Sequence, residues 1–188
     1  MGVRTQTWSY GSPADCLTCH TPVASYVLGV NTRQLNGTLP YPATGVTDNQ
    51  IRTLNRLGMF SPAIDEAGIA KYAKLTPLAD TKAPLQDRAR SYLDANCSEC
   101  HRPGGVANFD VRYDTALESQ HLTNFPSGVS LGFVNPEIIA PGDLGRSVLF
   151  ARMNTNAPTI KMPPLGRNRI DEAAVAVMGD WINGLGGP

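Results

Sequence analysis

Apolar positions recur at helical spacing in several stretches of the chain. Asp48 is a good N-cap for a helix over 49–57, with Ile51, Leu54 and Leu57 on one face and Gly58 as its stop. A second helix is expected over about 63–74, with Ile64, Ile69 and Tyr72 as candidate core residues. Thr81 to Pro84 reads as a helix start with proline in the first turn. Leu85, Ala89, Tyr92 and Leu93 then repeat at helical intervals up to Asn96. Ser147 to Met153 reads as helical. Asp171 caps a last helix whose apolar positions are Ala174, Val175, Val177, Met178, Trp181 and Ile182, and Gly184 ends it.

Between these stretches the pattern fails. Residues 23–36 are mildly apolar, with Gly29 breaking any long helix, and residues 37–47, 103–142 and 156–169 read as loop. Residues 76–84 read as a linker between two regions, 1–80 and 81–188. The 188 residues include 18 Gly and 15 Pro, with only 7% aromatics, so much of the chain is expected to be loop around a core that needs a non-protein component. Hydrophobic residues at 41% and charged residues at 17% are a globular composition. Sixteen basic and 16 acidic side chains cancel. The two regions hide no asymmetry, at 6 basic and 5 acidic before residue 81 and 10 and 11 after it. That balance argues against a nonspecific nucleic-acid binder, which needs a basic surplus. No apolar run approaches the ~20 residues of a bilayer span.

The 4 Cys and 3 His change the picture most. Every cysteine and two histidines fall in two copies of one motif, Cys16-Leu17-Thr18-Cys19-His20 and Cys97-Ser98-Glu99-Cys100-His101. C-x-x-C-H is the attachment signature of c-type haem. The two thiols add across the haem vinyl groups, and the adjoining histidine is carried under the ring to ligate iron. Three other readings compete. Two half-sites could make a Cys₄ or Cys₃His zinc site, a single C-x-x-C could be a redox dithiol, and four cysteines could form two disulfides. None of these requires a histidine beside the motif twice. Cys16 and Cys97 lie 81 residues apart, about one small cytochrome domain and far longer than usual zinc spacings. Two covalently attached haem c groups are therefore expected.

Three histidines cannot make two bis-His sites, which need four. Met162, in a Pro-rich loop beside Lys161, Pro163, Pro164 and Gly166, is the favoured second axial ligand of the second haem. The first region offers Met59, 39 residues after His20 and beside a helix end, where it serves either as ligand or as packing; Met1 is terminal. His121 reads as a solvated loop residue, though it is the spare nitrogen donor. Met153 and Met178 read as packing.

The second region runs helix, C-x-x-C-H, long loops, Met loop and closing helix. That order resembles class I cytochrome c. The resemblance implies that the first and last helices of the region cross, with Tyr92 and Trp181 at the contact, and that Met162 is the sixth ligand. A wider resemblance rests on Trp8-Ser9-Tyr10, Leu28-Gly29-Val30-Asn31-Thr32-Arg33-Gln34-Leu35-Asn36, Arg88-Ala89-Arg90-Ser91-Tyr92-Leu93-Asp94-Ala95-Asn96-Cys97, Arg102-Pro103-Gly104-Gly105, Pro141-Gly142-Asp143, Arg146-Ser147 and Met162-Pro163-Pro164-Leu165-Gly166. Together these are similar to a bacterial dihaem cytochrome c module, some examples of which accompany a quinoprotein sugar-dehydrogenase-like propeller. The first region departs from the cytochrome pattern in that no helix is expected before Cys16.

The expected fold is mainly α, with two cytochrome c-like helical domains (1–80 and 81–188), long loops and one covalent haem in each. The expected function is electron transfer between an exported redox partner (a dehydrogenase, another cytochrome or a terminal acceptor) and an acceptor. A dihaem peroxidase-like enzyme with one open iron is the alternative, with His121 or Glu99 as nominal acid/base groups; a structural or haem-sensing module is a third class. Haem is attached outside the cytoplasm in bacteria, so a periplasmic or extracellular location is expected. The opening Met-Gly-Val has no leader character, which reads as a mature form or a domain of a longer chain.

Overall fold

The computed structural model describes Val3, Thr5, Trp8 and residues 10–186. Short elements dominate its first region. Helix α1 (Pro13–Leu17) starts at Ser12, whose hydroxyl accepts from the Asp15 amide while the Asp15 carboxylate takes the Ser12 amide. This reciprocal cap satisfies donors that so short a helix would otherwise leave bare. It also sets Cys16 on a helix, where none was expected. Helix α2 (Thr32–Leu35) has the same device, built from Asn31 and Gln34. Strands β1 (Thr38–Tyr41) and β2 (Val46–Asn49) pair antiparallel, with Thr38 opposite Asn49 and Tyr41 opposite Val46. The amides of Thr44 and Gly45 close the turn on the Tyr41 carbonyl, each at 3.0 Å.

Helix α3 (Gln50–Arg56) comes next. Its cap is Asn49 rather than Asp48, whose carboxylate pairs with Arg52 instead. The helix expected over 63–74 is a 3₁₀ segment, Glu66–Lys71, with Ile69 buried in it as expected. Asn36 ties this region together: its side-chain amide donates to the carbonyls of Tyr72 at 2.8 Å and Ile69 at 3.3 Å.

The second region contains the two long helices, α4 (Leu85–Cys97) and α6 (Glu172–Leu185), which pack against each other. Asp171 caps α6 by accepting from the Ala174 amide, and the helix runs past Gly184 to end at Gly186. There the chain meets the turn at Gly142 so closely that a Cβ on Gly186 would lie 2.5 Å from the Gly142 Cα. Helix α5 (Val148–Met153) lies against α6. The contiguous core joins Ala89 and Leu93 of α4 and Met178, Trp181 and Ile182 of α6 to Val111, Leu122 and Ile139 from the loops. Trp181 is buried in it and Tyr92 packs at its edge.

A mainly α protein of two helical domains is not what forms. About 34% of the described residues are helical and 7% are in strand or bridge, with long loops between. The physical reason lies in the loop between α4 and α5. It is not filler, because Val111, Leu122, Ile139 and Ala140 are nearly fully buried and stand where further helices would. Its backbone is paired through isolated bridges such as Thr123 to Ile139 and Glu137 to Ser147. In the first region the β1–β2 hairpin and the 3₁₀ segment replace helix. Among the described residues no helix is long and apolar enough to cross a membrane.

The two regions touch. The Gln34 side chain donates to the Ala95 carbonyl on α4 at 3.2 Å, the Thr76 amide donates to the Ser91 hydroxyl at 2.9 Å, and Arg33 pairs with Asp114 while lying over the Tyr113 ring.

Candidate functional site

The second motif closes α4. The helix delivers Cys97 at its last residue, and the amides of Cys100 and His101 both bond to the Cys97 carbonyl. The chain then reverses at Arg102–Gly105, and Val106 bonds back to the Cys100 carbonyl at 3.2 Å. A Cβ on Gly105 would sit 2.1 Å from that carbonyl oxygen, so only glycine permits the reversal. A buried acidic anchor fixes the chain beyond the reversal. Val111 donates to the His101 carbonyl at 3.0 Å, and Asp110 beside it accepts from Thr115 at 2.6 Å and from Arg112 at 2.7 Å.

These constraints place Cys97 and His101 on the wall of an open cavity of about 500 Å³. That volume is within the ~300–1,000 Å³ range of small-molecule and cofactor pockets. Leu93, Phe109, Val111, Phe125, Ile138, Val148 and Leu149 make the lining mostly apolar. Met162 and Met153 both line it, so two thioethers share a cavity with the imidazole. The Met162 amide is held by the Arg152 carbonyl at 3.0 Å. The His101 ring stacks on Phe109, centroids 4.4 Å apart and 14° from parallel.

Burial, with help from the Arg152 charge, pushes His101 down to about 4, so its imidazole is neutral and able to ligate a metal at physiological pH. Its Nδ1 is buried without a hydrogen-bond partner. Burial pushes the Cys97 thiol up to about 12, with Cys100 adding to the shift. A thiolate there would be costly, whereas a thioether carries no charge to bury.

The first motif is built oppositely. Cys16 and His20 are exposed and Cys19 is half-buried. His20 Nδ1 donates to the Tyr26 carbonyl at 2.8 Å, which leaves Nε2 as a free lone pair. Met59 lies just beyond α3 and is 67% exposed; it does not line the cavity that holds His101. Met1 lies outside the described residues, as does Ser9 of the Trp8–Tyr10 run.

The motifs meet although 81 residues separate them. Cys19 lies near enough to Cys100 to help raise its thiol, behind the larger effect of burial. The turn after His101 also lies against the 3₁₀ segment after His20, since a Cβ on Gly104 would approach Val23 to 3.7 Å. The four thiols do not form a zinc cage, because among the described residues no group of three or more His, Cys, Asp or Glu side chains is placed to enclose an ion. No disulfide joins any of the four.

The remaining candidates fall outside the cavity. His121 is exposed and stacks against Phe125, centroids 4.8 Å apart. Glu99 pairs with Arg102 at 3.0 Å. Met178 is core, as expected. Sequence reasoning passed over Phe109, Phe125, Val129 and Arg152. The first three come from a Gly/Pro-rich loop with no period to read. Arg152 had a signal, as the lone charge in the otherwise apolar helix Val148–Met153. No protein-family model, curated protein or solved structure matches the chain.

Proposed function

We propose that this protein transfers electrons through two covalently bound haem c groups, one on each C-x-x-C-H motif. The observation that carries the reading is the apolar cavity whose wall holds Cys97, His101 and Met162 together. When bound, the group supplies a reversible one-electron iron couple. Cys97 and Cys100 would provide the thioether links and His101 a nitrogen ligand. Met162, on the same cavity wall, would provide a sulfur ligand. The apolar lining keeps water away and so favours the less charged, reduced state. At the cavity, Val106 and Val129 are 63% and 44% exposed. They offer a partly apolar surface where a redox partner approaches.

In the first region Cys16 and Cys19 provide the links and His20 the nitrogen, with its tautomer fixed by Tyr26. Met59 is the local thioether. The influence of Cys19 on the Cys100 thiol and the approach of the Gly104 turn to Val23 bring the two attachment points near each other within one chain. The similarity of the quoted sequence runs to bacterial dihaem cytochrome modules supports the same reading. It implies an exported protein whose partner is a dehydrogenase, another cytochrome or a terminal acceptor. A peroxidase needs acid/base groups over an open iron, and neither His121 nor Glu99 lines the described cavity.

The deciding experiment is the denatured intact mass of protein made in a host with haem-attachment machinery, followed by reversible titration of its visible spectrum. A mass of polypeptide plus two haems and two one-electron steps without peroxide turnover is expected. Unmodified polypeptide, zinc retention or rapid peroxide consumption overturns the proposal.

A further inference from the structure

Arg152 lines the cavity together with His101, Met153 and Met162. It is half-buried, and the rest of its helix is Val148, Leu149, Phe150, Ala151 and Met153. Its backbone carbonyl is used by the Met162 amide, but among the described residues its guanidinium has no hydrogen bond and no ion pair. The other arginines near the site have protein partners for their guanidinium groups, although the Arg167 Nε is buried without one. Arg146 reaches Asp143 at 2.9 Å and Glu137 at 3.1 Å, Arg112 reaches Asp110 at 2.7 Å, and Arg167 donates to the Met153 carbonyl at 2.6 Å. Arg169 has no partner either, but it is exposed, where water suffices.

A guanidinium facing an apolar cavity has given up part of its hydration with no protein anion in return. Its planar fork of donors matches a carboxylate, which it binds through two parallel hydrogen bonds. We propose that Arg152 is the anion-binding residue of this cavity and pairs with a carboxylate of whatever group fills it. The inference rests on the haem reading, since haem carries two carboxylate side chains. A free organic acid entering beside the haem has the same chemistry. In either case Arg152 is a positioning residue. It orients the group through its carboxylate, and its fixed positive charge favours ferrous over ferric iron.

The test compares haem-loaded full-length protein with its Arg152→Gln and Arg152→Lys variants. Covalent haem on the Cys97–His101 peptide is measured by mass, and the reduction potential of that haem by titration. The Gln variant is expected to have a lower potential and the Lys variant to recover most of the difference, because Lys keeps the positive charge that acts on the iron although it loses the fork. Added acetate separates the two sources. A potential in the parent that ignores acetate assigns the carboxylate to the haem, and a saturable shift that the Gln variant loses assigns it to a free acid. If the Gln variant fails to take up haem, the Lys variant decides. A Lys variant that loads haem and keeps the parent potential supports the proposal, and one that fails equally overturns it. Parent protein without haem on that peptide sinks the haem reading and this inference together. Loaded haem with the same potential in the parent and the Gln variant sinks the inference alone.

Discussion

The same five-residue motif stands in two opposite settings. Among the described residues, the first region buries three apolar side chains (Ala24, Ile51 and Ile69), whereas the second buries thirteen, from Ala89 to Ile182. Exposed large apolar side chains run the other way. There are twelve before residue 81, including Trp8, Leu17, Tyr26, Val27, Val30 and Met59, and four after it. Two of those four, Val106 and Val129, belong to the cavity. The second region has thus assembled a core with a space left in it. The first holds its motif by caps and hydrogen bonds and leaves its apolar residues facing outward. A bound haem would complete the second region, but in the first it would have to serve as the core itself.

The largest expected effect comes from that contrast. In a Cys16→Ser/Cys19→Ser variant of haem-loaded protein, backbone amides of residues 10–80 should lose hydrogen-exchange protection by about 100-fold or more, as expected when a local core is removed. In the Cys97→Ser/Cys100→Ser variant, α4 and α6 should keep most of their protection. Their contact through Leu93, Met178 and Ile182 is made of protein, and loosening should be confined to the cavity walls around 106–129 and 148–153. Equal loss in both regions, or collapse of α4 and α6 in the second variant, would break the comparison.

Two thioethers on one cavity allow a sharper cut. Met162→Ala should abolish the sulfur-to-iron charge-transfer band of one haem and lower its potential, because a thioether favours ferrous iron. Met153→Leu should leave the band in place and cost at most ~1.5 kcal/mol as a volume-conserving core change. The reverse result would make Met153 the ligand and Met162 a wall residue. Unchanged spectra in both would remove methionine from this site.

What could be read from the sequence divides along the same line. Helices α4 and α6 were legible because each buries one continuous stripe, and the second motif sits where α4 must end. The place of Met162 was legible because a Pro-rich loop offers a methionine little core. Helix α1 was not, since its five residues bury nothing and it exists through the Ser12–Asp15 cap. The β1–β2 hairpin was hidden because its strands alternate no apolar face, and Pro40 lies within β1. The loop between α4 and α5 concealed most of the cavity wall, because isolated buried residues such as Phe109 and Val111 obey no period. The nearness of Cys19 to Cys100 and of Gly104 to Val23 arises from tertiary packing that neither local pattern carries.

The open setting of the first motif should also show in ligand binding. His20 and Met59 are exposed, while His101 and Met162 are half-buried. Carbon monoxide added to reduced protein should therefore saturate the first haem at roughly tenfold lower concentration, a difference of about 1.4 kcal/mol. Met59→Leu adds a second reading. A gain in affinity at the first haem identifies Met59 as a displaceable ligand, and no change identifies it as a bystander. Superimposable titrations of the two haems would remove the asymmetry.

A last contrast concerns the acidic residues that hold each motif. Asp15 caps α1 at the surface, and the Ser12 amide and hydroxyl hold its carboxyl below the usual range. Solvent screens that cap, so Asp15→Asn should leave global stability nearly unchanged. Asp110 is 6% exposed and fastens the loop behind His101. Burial alone would raise its carboxyl, but hydrogen bonds from Arg112 and Thr115 outweigh this and hold it below the usual value. A carboxyl depressed in the folded state stabilises above the unfolded value of ~3.9, and that contribution fades as pH falls toward the folded value. Asp110→Asn should therefore cost on the order of 1–3 kcal/mol at neutral pH, the range for losing charge-assisted hydrogen bonds to a buried group. The gap between parent and variant should begin to narrow as pH falls below about 4, where the unfolded chain takes up a proton that the folded carboxyl still resists. Denaturant titrations at pH 7 and pH 3.5 measure both. A gap that stays constant with pH would show that Asp110 acts through shape rather than charge, and an equal loss from Asp15→Asn would show that the two motifs are anchored alike.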